Sequence, residues 1–387
     1  MNPKEYLTNR AFCPLAWTGI YVDANGDVRN CIRKTKHNLG NLRDNSIHEI
    51  LNGKKIINIK ENMSQGIKDP SCECCYSLEN NKNSYDIISD RIFYLKEMKN
   101  VDMSTYDDVT RFDLRKIDIR WSNSCNFACV YCGPLYSNKW AKEIDAPIKI
   151  LDSQDEKLIE VKNYILENIE QIEHAYFAGG EPLLMKQNEE ILQELLKRNP
   201  DVNLRINTNL SKTGTPVFDL ICQFKNVHWI LSTETMADEF EYIRHGGKWQ
   251  DFLDNLEIIK GLDHKVSFNM LWFILNPWSL FDTVEYLQNQ GFQNNSYIIG
   301  PVTDPEWQDI RNLNQATLDS LMKELVRRIE ENPGYLLEDS YRNLLTHLQK
   351  PFQPNRKLTI DNLEKMDNRR NQNSQTLFAE VYKCLQD

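Results

Sequence analysis

The chain has no excess of positive charge: 46 Lys+Arg stand against 56 Asp+Glu, a formal net charge of −10. That removes the electrostatic case for nucleic acid or an anionic membrane surface as partner. Long apolar runs are missing too, and stretches such as Met270 to Leu275 fall far short of the roughly 20 residues that span a bilayer. The opening MNPKEYLTNR holds no apolar signal core, so the expected location is the cytoplasm. No internal repeat or low-complexity tract is present. What the chain does have is length and aromatic bulk. Its 387 residues suffice for two or three domains, and a 41% hydrophobic share with 8 Trp and 16 Tyr gives material for a real core.

Ten cysteines are many for a protein expected in a reducing compartment, where disulfides do not persist. Eight of the ten fall at or before Cys132, mostly at short spacings, which favours metal ligation over packing. Cys222 and Cys384 stand apart and read as core residues.

From about residue 114 to 305, apolar strand-like runs alternate with amphipathic helical stretches, the pattern of a parallel α/β sheet. Six strands are expected, at Lys116 to Trp121, His174 to Ala178, Asn203 to Thr208, Val227 to Thr233, Lys265 to Phe273 and Ser296 to Ile299. Helices such as Glu156 to Ile169 and Gln187 to Arg198 lie between them. Six β/α units make a partial (β/α)6 TIM-type barrel. The expected domains are a small cysteine-rich region over 1–100, the barrel over 101–305 and a helical extension over 306–387. Further helices are expected after the cap-like Ser46 and from about Asn83 to Lys99. In the extension, the pairs Arg327-Arg328 and Arg369-Arg370 read as solvated helix faces.

Immediately after the first barrel strand, Cys125, Cys129 and Cys132 form CxxxCxxC. Loops at the C-terminal ends of parallel barrel strands build active sites, so three thiolates are expected on one face. Three cysteines leave one iron of a [4Fe–4S] cluster open to another ligand. A zinc-ribbon fragment or buried core thiols are the plainer alternatives, and no fourth Cys or His lies close by in sequence to close a zinc site. After the second strand comes Gly179-Gly180-Glu181-Pro182, where paired glycines let a backbone approach a ligand closely.

With Tyr131 as the aromatic residue before the last cysteine, these two motifs resemble those of the radical S-adenosylmethionine (SAM) superfamily. The resemblance implies a [4Fe–4S] cluster on Cys125, Cys129 and Cys132, with SAM on the open iron and its amino group at the Gly179 to Pro182 segment. It further implies that Ser232 and Glu234, at the end of the fourth strand, meet the ribose hydroxyls, and that Arg244 meets the cofactor carboxylate. Asn207 and Asn209 at the third strand and Asn269 on the fifth are expected as substrate or cofactor contacts.

The N-terminal region reads Cx12Gx4C from Cys13 through Gly26 to Cys31, followed by Cys72-Glu73-Cys74-Cys75. The turn at Asp23 to Asp27 folds the first two cysteines toward each other as a hairpin. This region resembles the twitch or SPASM auxiliary domains of radical SAM enzymes, placed before the barrel instead of after it, with one cluster rather than the full seven-cysteine SPASM pattern. The implied ligands of an auxiliary [4Fe–4S] cluster are Cys13, Cys31, Cys72 and Cys75, with Cys74 excluded first and zinc the alternative metal. The expected activity is reductive cleavage of SAM to a 5′-deoxyadenosyl radical and hydrogen abstraction from a peptide or protein side chain, served by an electron donor such as flavodoxin or ferredoxin. A small-molecule substrate is the second reading, and a non-catalytic iron–sulfur or zinc protein the third.

Overall fold

The computed structural model describes residues 9–33, 37–80, 89–98, 103–151 and 155–386. The chain folds as two units. The first comprises Met1–Cys125, Pro147–Asn207 and Thr213–His228; the second comprises Asn126–Ala146, Thr208–Lys212 and Trp229–Asp387.

The first unit opens with a short helix, Leu15–Thr18, and a hairpin of β1 (Gly19–Val22) and β2 (Asp27–Arg29), to which β3 (Gly40–Asn41) adds antiparallel. The hairpin turn is built by Asp23, whose Oδ1 accepts from the backbone N–H groups of Asn25 and Asp27 at 3.0 and 3.1 Å. Gly26 supplies the left-handed residue at φ 86°. The expected helix after Ser46 is observed as Ile47–Leu51, with a capping box between Ser46 and Glu49. The helix expected over Asn83 to Lys99 is observed as Asp90–Glu97; residues 83–88 and 99 lie outside the described residues.

The strand order in this unit is β3-β2-β1-β4-β5-β6, with β4 at Lys116–Ile119, β5 at His174–Phe177 and β6 at Asn203–Thr208. One feature escapes the sequence pattern: β1 pairs parallel with β4, Gly19 opposite Lys116 and Val22 opposite Ile119, so the cysteine-rich hairpin is part of the sheet itself. Alternation sorts the sheet faces. Ile117, Ile119, Ala175, Phe177, Leu204 and Ile206 are buried, as are Leu158, Val161 and Ile165 of the helix Glu156–Glu167 and Ile191, Leu192 and Leu195 of the helix Lys186–Arg198. Each of these Val, Leu, Ile or Phe side chains taken from water contributes roughly 1.5–3 kcal/mol. The opposite, inner face carries Lys116, Asp118, His174, Tyr176 and Arg205.

The second unit holds most of β7 (Val227–Ser232), then β8 (Lys265–Trp272) and β9 (Tyr297–Pro301), with β8 and β9 parallel. Helices Gln315–Glu331, Leu336–Leu348 and Arg356–Arg370 form most of the C-terminal extension. The fold class is α/β with a mostly parallel sheet, six consecutive β/α repeats in the chain order of a partial (β/α)6 barrel, and a helical C-terminal region. Among the described residues no helix is long and apolar enough to cross a membrane.

Candidate functional site

The N-terminal thiols come together because three local devices aim them. Tyr76, one residue after Cys75, donates its hydroxyl to the Ala11 carbonyl at 2.8 Å. Arg91 donates to the Phe12 carbonyl at 3.0 Å, beside Cys13. Asp69 caps the turn Pro70–Cys72. Cys13, Cys31, Cys72 and Cys75 are each 7–8% exposed and line one recess. Burial, and then the like charges of Cys72, Cys31 and Cys75, pushes the Cys13 thiol well above its ordinary value. Burial likewise pushes Cys75 up to about 12. Cys74 sits exposed at the rim, its thiol 3.8 Å from the Arg33 carbonyl.

Among the described residues no three His, Cys, Asp or Glu side chains stand close enough to hold a single metal ion. Four thiolates on one zinc converge at about 2.3 Å from a common centre, whereas those of a four-iron cluster each bind a different iron and stand wider apart. Four buried thiols lining one recess are a donor set that suits an iron–sulfur cluster.

The boundary between the units falls within the central cysteine loop, after Cys125. On the first unit's side, the Gly179–Gly180 segment lies against the start of this loop. Glu181 donates its N–H to the Ser124 carbonyl at 2.7 Å, and a Cβ on Gly180 would stand 2.1 Å from that same oxygen, so only glycine fits. The Glu181 side chain, 1% exposed, caps the turn at Leu183 rather than standing out as an open carboxylate. Buried Asn188 fixes the segment from below, accepting from Trp121 Nε1 and donating to the Pro182 carbonyl, both at 2.9 Å.

On the second unit's side, the loop is clamped through its carbonyls. Trp140 donates to Cys129 O at 2.6 Å, Ser137 to Phe127 O at 2.6 Å, Gln308 to Val130 O at 2.9 Å and Arg370 to Ala128 O at 2.8 Å. The segment 243–245 pairs with it, Ala128 N–H to His245 O and Val130 N–H to Ile243 O, both 2.8 Å. Arg370 corrects the sequence reading: it is no solvated residue, since its side chain is 1% exposed and ion-paired to Glu143 at 3.0 Å. Arg328 likewise is 8% exposed and binds Glu285 and Glu324.

Arg244 and Glu234, given separate cofactor contacts by resemblance, meet each other. Two guanidinium nitrogens reach the two carboxylate oxygens at 2.8 and 2.9 Å, with both side chains at most 3% exposed. Despite burial, the carboxylate keeps Arg244 protonated. The pair is a buried brace beside Tyr131, whose ring lies 5.8 Å from the guanidinium. Burial raises Cys129, with Arg244 pulling it back, and pushes Cys132 up to about 12. Asn209 binds Asn126 at 3.1 Å, which in turn binds Ser211 at 2.9 Å, so its place is next to the cysteine loop. Ser232 ends β7 half-buried, and Asn269 lies half-buried on β8 opposite Ile298. Asn207, half-buried on β6, keeps an unpartnered Oδ1. Trp140, Ser137, Gln308, Asn188 and Arg370 were not singled out as site residues in the sequence; only Ser137, followed by a short helix, carries even a local signal.

Residues 119–287 match the family model of the radical SAM superfamily, and residues 13–76 match that of the SPASM iron–sulfur cluster-binding domain. The chain thus carries a radical SAM domain and, toward its N-terminal end, a SPASM domain, so a [4Fe–4S] cluster with SAM and an auxiliary iron–sulfur cluster are its cofactors. Among relatives, a GTP 3′,8-cyclase of Sulfurimonas denitrificans is 26% identical over 254 residues, 62% of this chain and 73% of that protein. Among solved structures, anSMEcpe with bound AdoMet is 16% identical with a TM-score of 0.41, covering 54% of this chain and 58% of that one. Streptococcus suis SuiB bound to its precursor peptide SuiA is 14% identical with a TM-score of 0.42, covering 85% and 74%.

Proposed function

We propose that this radical SAM enzyme is an oxidoreductase that modifies or cross-links a peptide or protein side chain, with three segments, 1–100, 101–305 and 306–387, as auxiliary, barrel and extension domains. The observation that carries the reaction class is the presence of two different thiol sets: a three-cysteine loop after β4 and a buried set of four in the N-terminal region. Cys125, Cys129 and Cys132 hold the catalytic cluster, and Cys13, Cys31, Cys72 and Cys75 the auxiliary one. When bound and reduced, the catalytic cluster cleaves SAM to methionine and a 5′-deoxyadenosyl radical that takes a hydrogen atom from an unactivated C–H.

The chain's own residues do the rest. Gly179 and Gly180 give the backbone a close approach, the Arg244–Glu234 brace fixes Tyr131 beside Cys129, and Trp140, Gln308 and Arg370 hold the loop carbonyls so that the ligand thiols stay placed. Cys129 is buried and Cys132 half-buried, and their thiol pKa values, raised by burial, mean that loading the cluster must release protons. In a net two-electron oxidation the substrate would lose its first electron with the abstracted hydrogen atom and its second to the auxiliary cluster, while a flavodoxin or ferredoxin in the cytoplasm would supply the separate electron that reduces the catalytic cluster. A small-molecule substrate is the second reading, favoured by the likeness to a protein described as a GTP 3′,8-cyclase.

The test is anaerobic reconstitution. Wild type should carry about eight irons per chain and form 5′-deoxyadenosine with dithionite and SAM; Cys129→Ala should lose that product, Cys13→Ala should lose about half of the iron, and Cys74→Ser should keep all of it. Zinc in place of the second four irons, or no 5′-deoxyadenosine under any reductant, overturns the reading.

A further inference from the structure

We propose that the inner face of β4, β5 and β6 seats an anionic substituent of the substrate, a carboxylate or a phosphate, between Arg120 and Arg205. The proposal rests on the reading above that SAM approaches the Gly179–Gly180 turn.

Register puts the residues in place. Tyr21, Asp118, Tyr176 and Arg205 stand opposite one another across four parallel strands. Two residues further on, the same face carries Arg120 after β4 and Asn207 on β6. Most small barrels fill this face with branched apolar side chains; here it is filled with charge.

The charges do not cancel. Asp118, fully buried, is shared by two cations, with Lys116 Nζ at 3.6 Å and Arg120 Nε at 3.3 Å. Among the described residues Arg205 has neither a carboxylate nor a hydrogen-bond acceptor, only the Phe93 ring at 4.3 Å from its guanidinium carbon. His174, below Arg205 on the same face, is held neutral by burial and by the Arg205 and Lys116 charges. Among the described residues, three cations therefore face one carboxylate. A half-buried guanidinium without a carboxylate, as at Arg205 among the described residues, and a second that shares its carboxylate with a lysine, as at Arg120, are costly unless an anion completes them, and planar forks suit a two-oxygen acceptor.

The face is also open where it needs to be. Arg120, Tyr176, Arg205 and Asn207 are all half-buried, while Asp118 beneath them is closed off. Asn207 Oδ1 has no partner, an acceptor for an N–H or O–H on the same ligand. The position of this seat follows from Gly179, where a Cβ would stand 2.8 Å from Arg120 Cβ. The Arg120 side chain thus starts against the turn assigned to SAM, while its guanidinium carbon stands 5.1 Å over the Tyr21 ring and its Nε beside Asp118, so the seat lies on the sheet face below the turn and the rest of the substrate extends toward it.

The test uses reconstituted protein and isothermal titration with two probes, inorganic phosphate and glutarate. At least one should bind with unit stoichiometry, and Arg205→Gln and Arg120→Gln should each weaken it at least tenfold. Arg205→Lys, which keeps the charge without the fork, should fall between, and Lys197→Gln, at an exposed helix position, should match wild type. Binding of phosphate alone assigns a phosphorylated substrate, and of glutarate alone an acidic side chain or free carboxylate. Binding of neither probe, or equal binding by wild type and Arg205→Gln with Arg205→Lys unchanged, overturns the proposal. Anion binding without 5′-deoxyadenosine would sink the reaction class and leave the seat standing; the product without anion binding would do the reverse.

Discussion

In the second unit every buried cation near the cysteine loop has a carboxylate of its own: Arg244 grips Glu234, and Arg370 binds Glu143 as well as the Ala128 carbonyl. In the first unit, among the described residues, the inner sheet face sets Lys116, Arg120 and Arg205 against Asp118 alone, and the N-terminal thiols face chiefly one another. A closed ion pair rigidifies what it touches, whereas an excess of one sign marks a place for something that arrives from outside. The contrast separates a scaffold, which holds a loop still, from surfaces that receive ligands.

Breaking the scaffold should have the largest effect. Arg244→Ala leaves Glu234 buried without its counter-charge and should cost about 3–5 kcal/mol in urea unfolding, while the double replacement Arg244→Met with Glu234→Leu should recover most of it. A double variant as unstable as the single one would mean the pair is not an isolated brace.

The first unit should instead show its unbalanced charge as a pH dependence. Burial, then Arg205 and Lys116, lowers His174 to about 4 from an ordinary 6.5. The unfolded chain therefore binds a proton at this site that the folded chain refuses between those values. Stability is full above pH 6.5 and falls as the pH drops toward 4, by roughly 3 kcal/mol at most. His174→Phe should flatten that part of the profile in pH-dependent thermal unfolding, and an unchanged profile would place the titrating group elsewhere.

The smallest effect sharpens the comparison at the loop itself. Arg370→Gln removes a charged donor from Ala128 O and should cost about 1.5–3 kcal/mol, with iron lost faster to a chelator from the catalytic cluster than from the auxiliary one. Equal loss from both would mean that Arg370 supports the protein at large.

The barrel strands were legible because their signal is local. Period-two alternation and flanking polar residues place β6 at the expected ends and the other five within two residues. The Ser46 cap and the Asp23 to Asp27 turn were legible for the same reason. The pairing of β1 with β4 was not, since register between distant segments leaves no mark in either one. Nor was Arg370. Its acceptor is a backbone carbonyl, which every residue possesses, so no spacing announces the contact, and an Arg-Arg pair on a polar helix looks solvated. Glu234 and Arg244 were singled out as polar groups near the cofactor; that their nearest partners are each other depends on the approach of two chain segments that sequence cannot measure.

Because Gly19–Val22 pairs parallel with Lys116–Ile119, the order of synthesis matters. The ribosome makes the hairpin and all five N-terminal cysteines before it makes the strand that completes their side of the sheet. At about 5–20 residues per second, that partner trails by roughly 5–20 s. Until then the nascent chain presents an unpaired strand edge, and every cysteine of the N-terminal set is made before the strand that closes their side of the sheet.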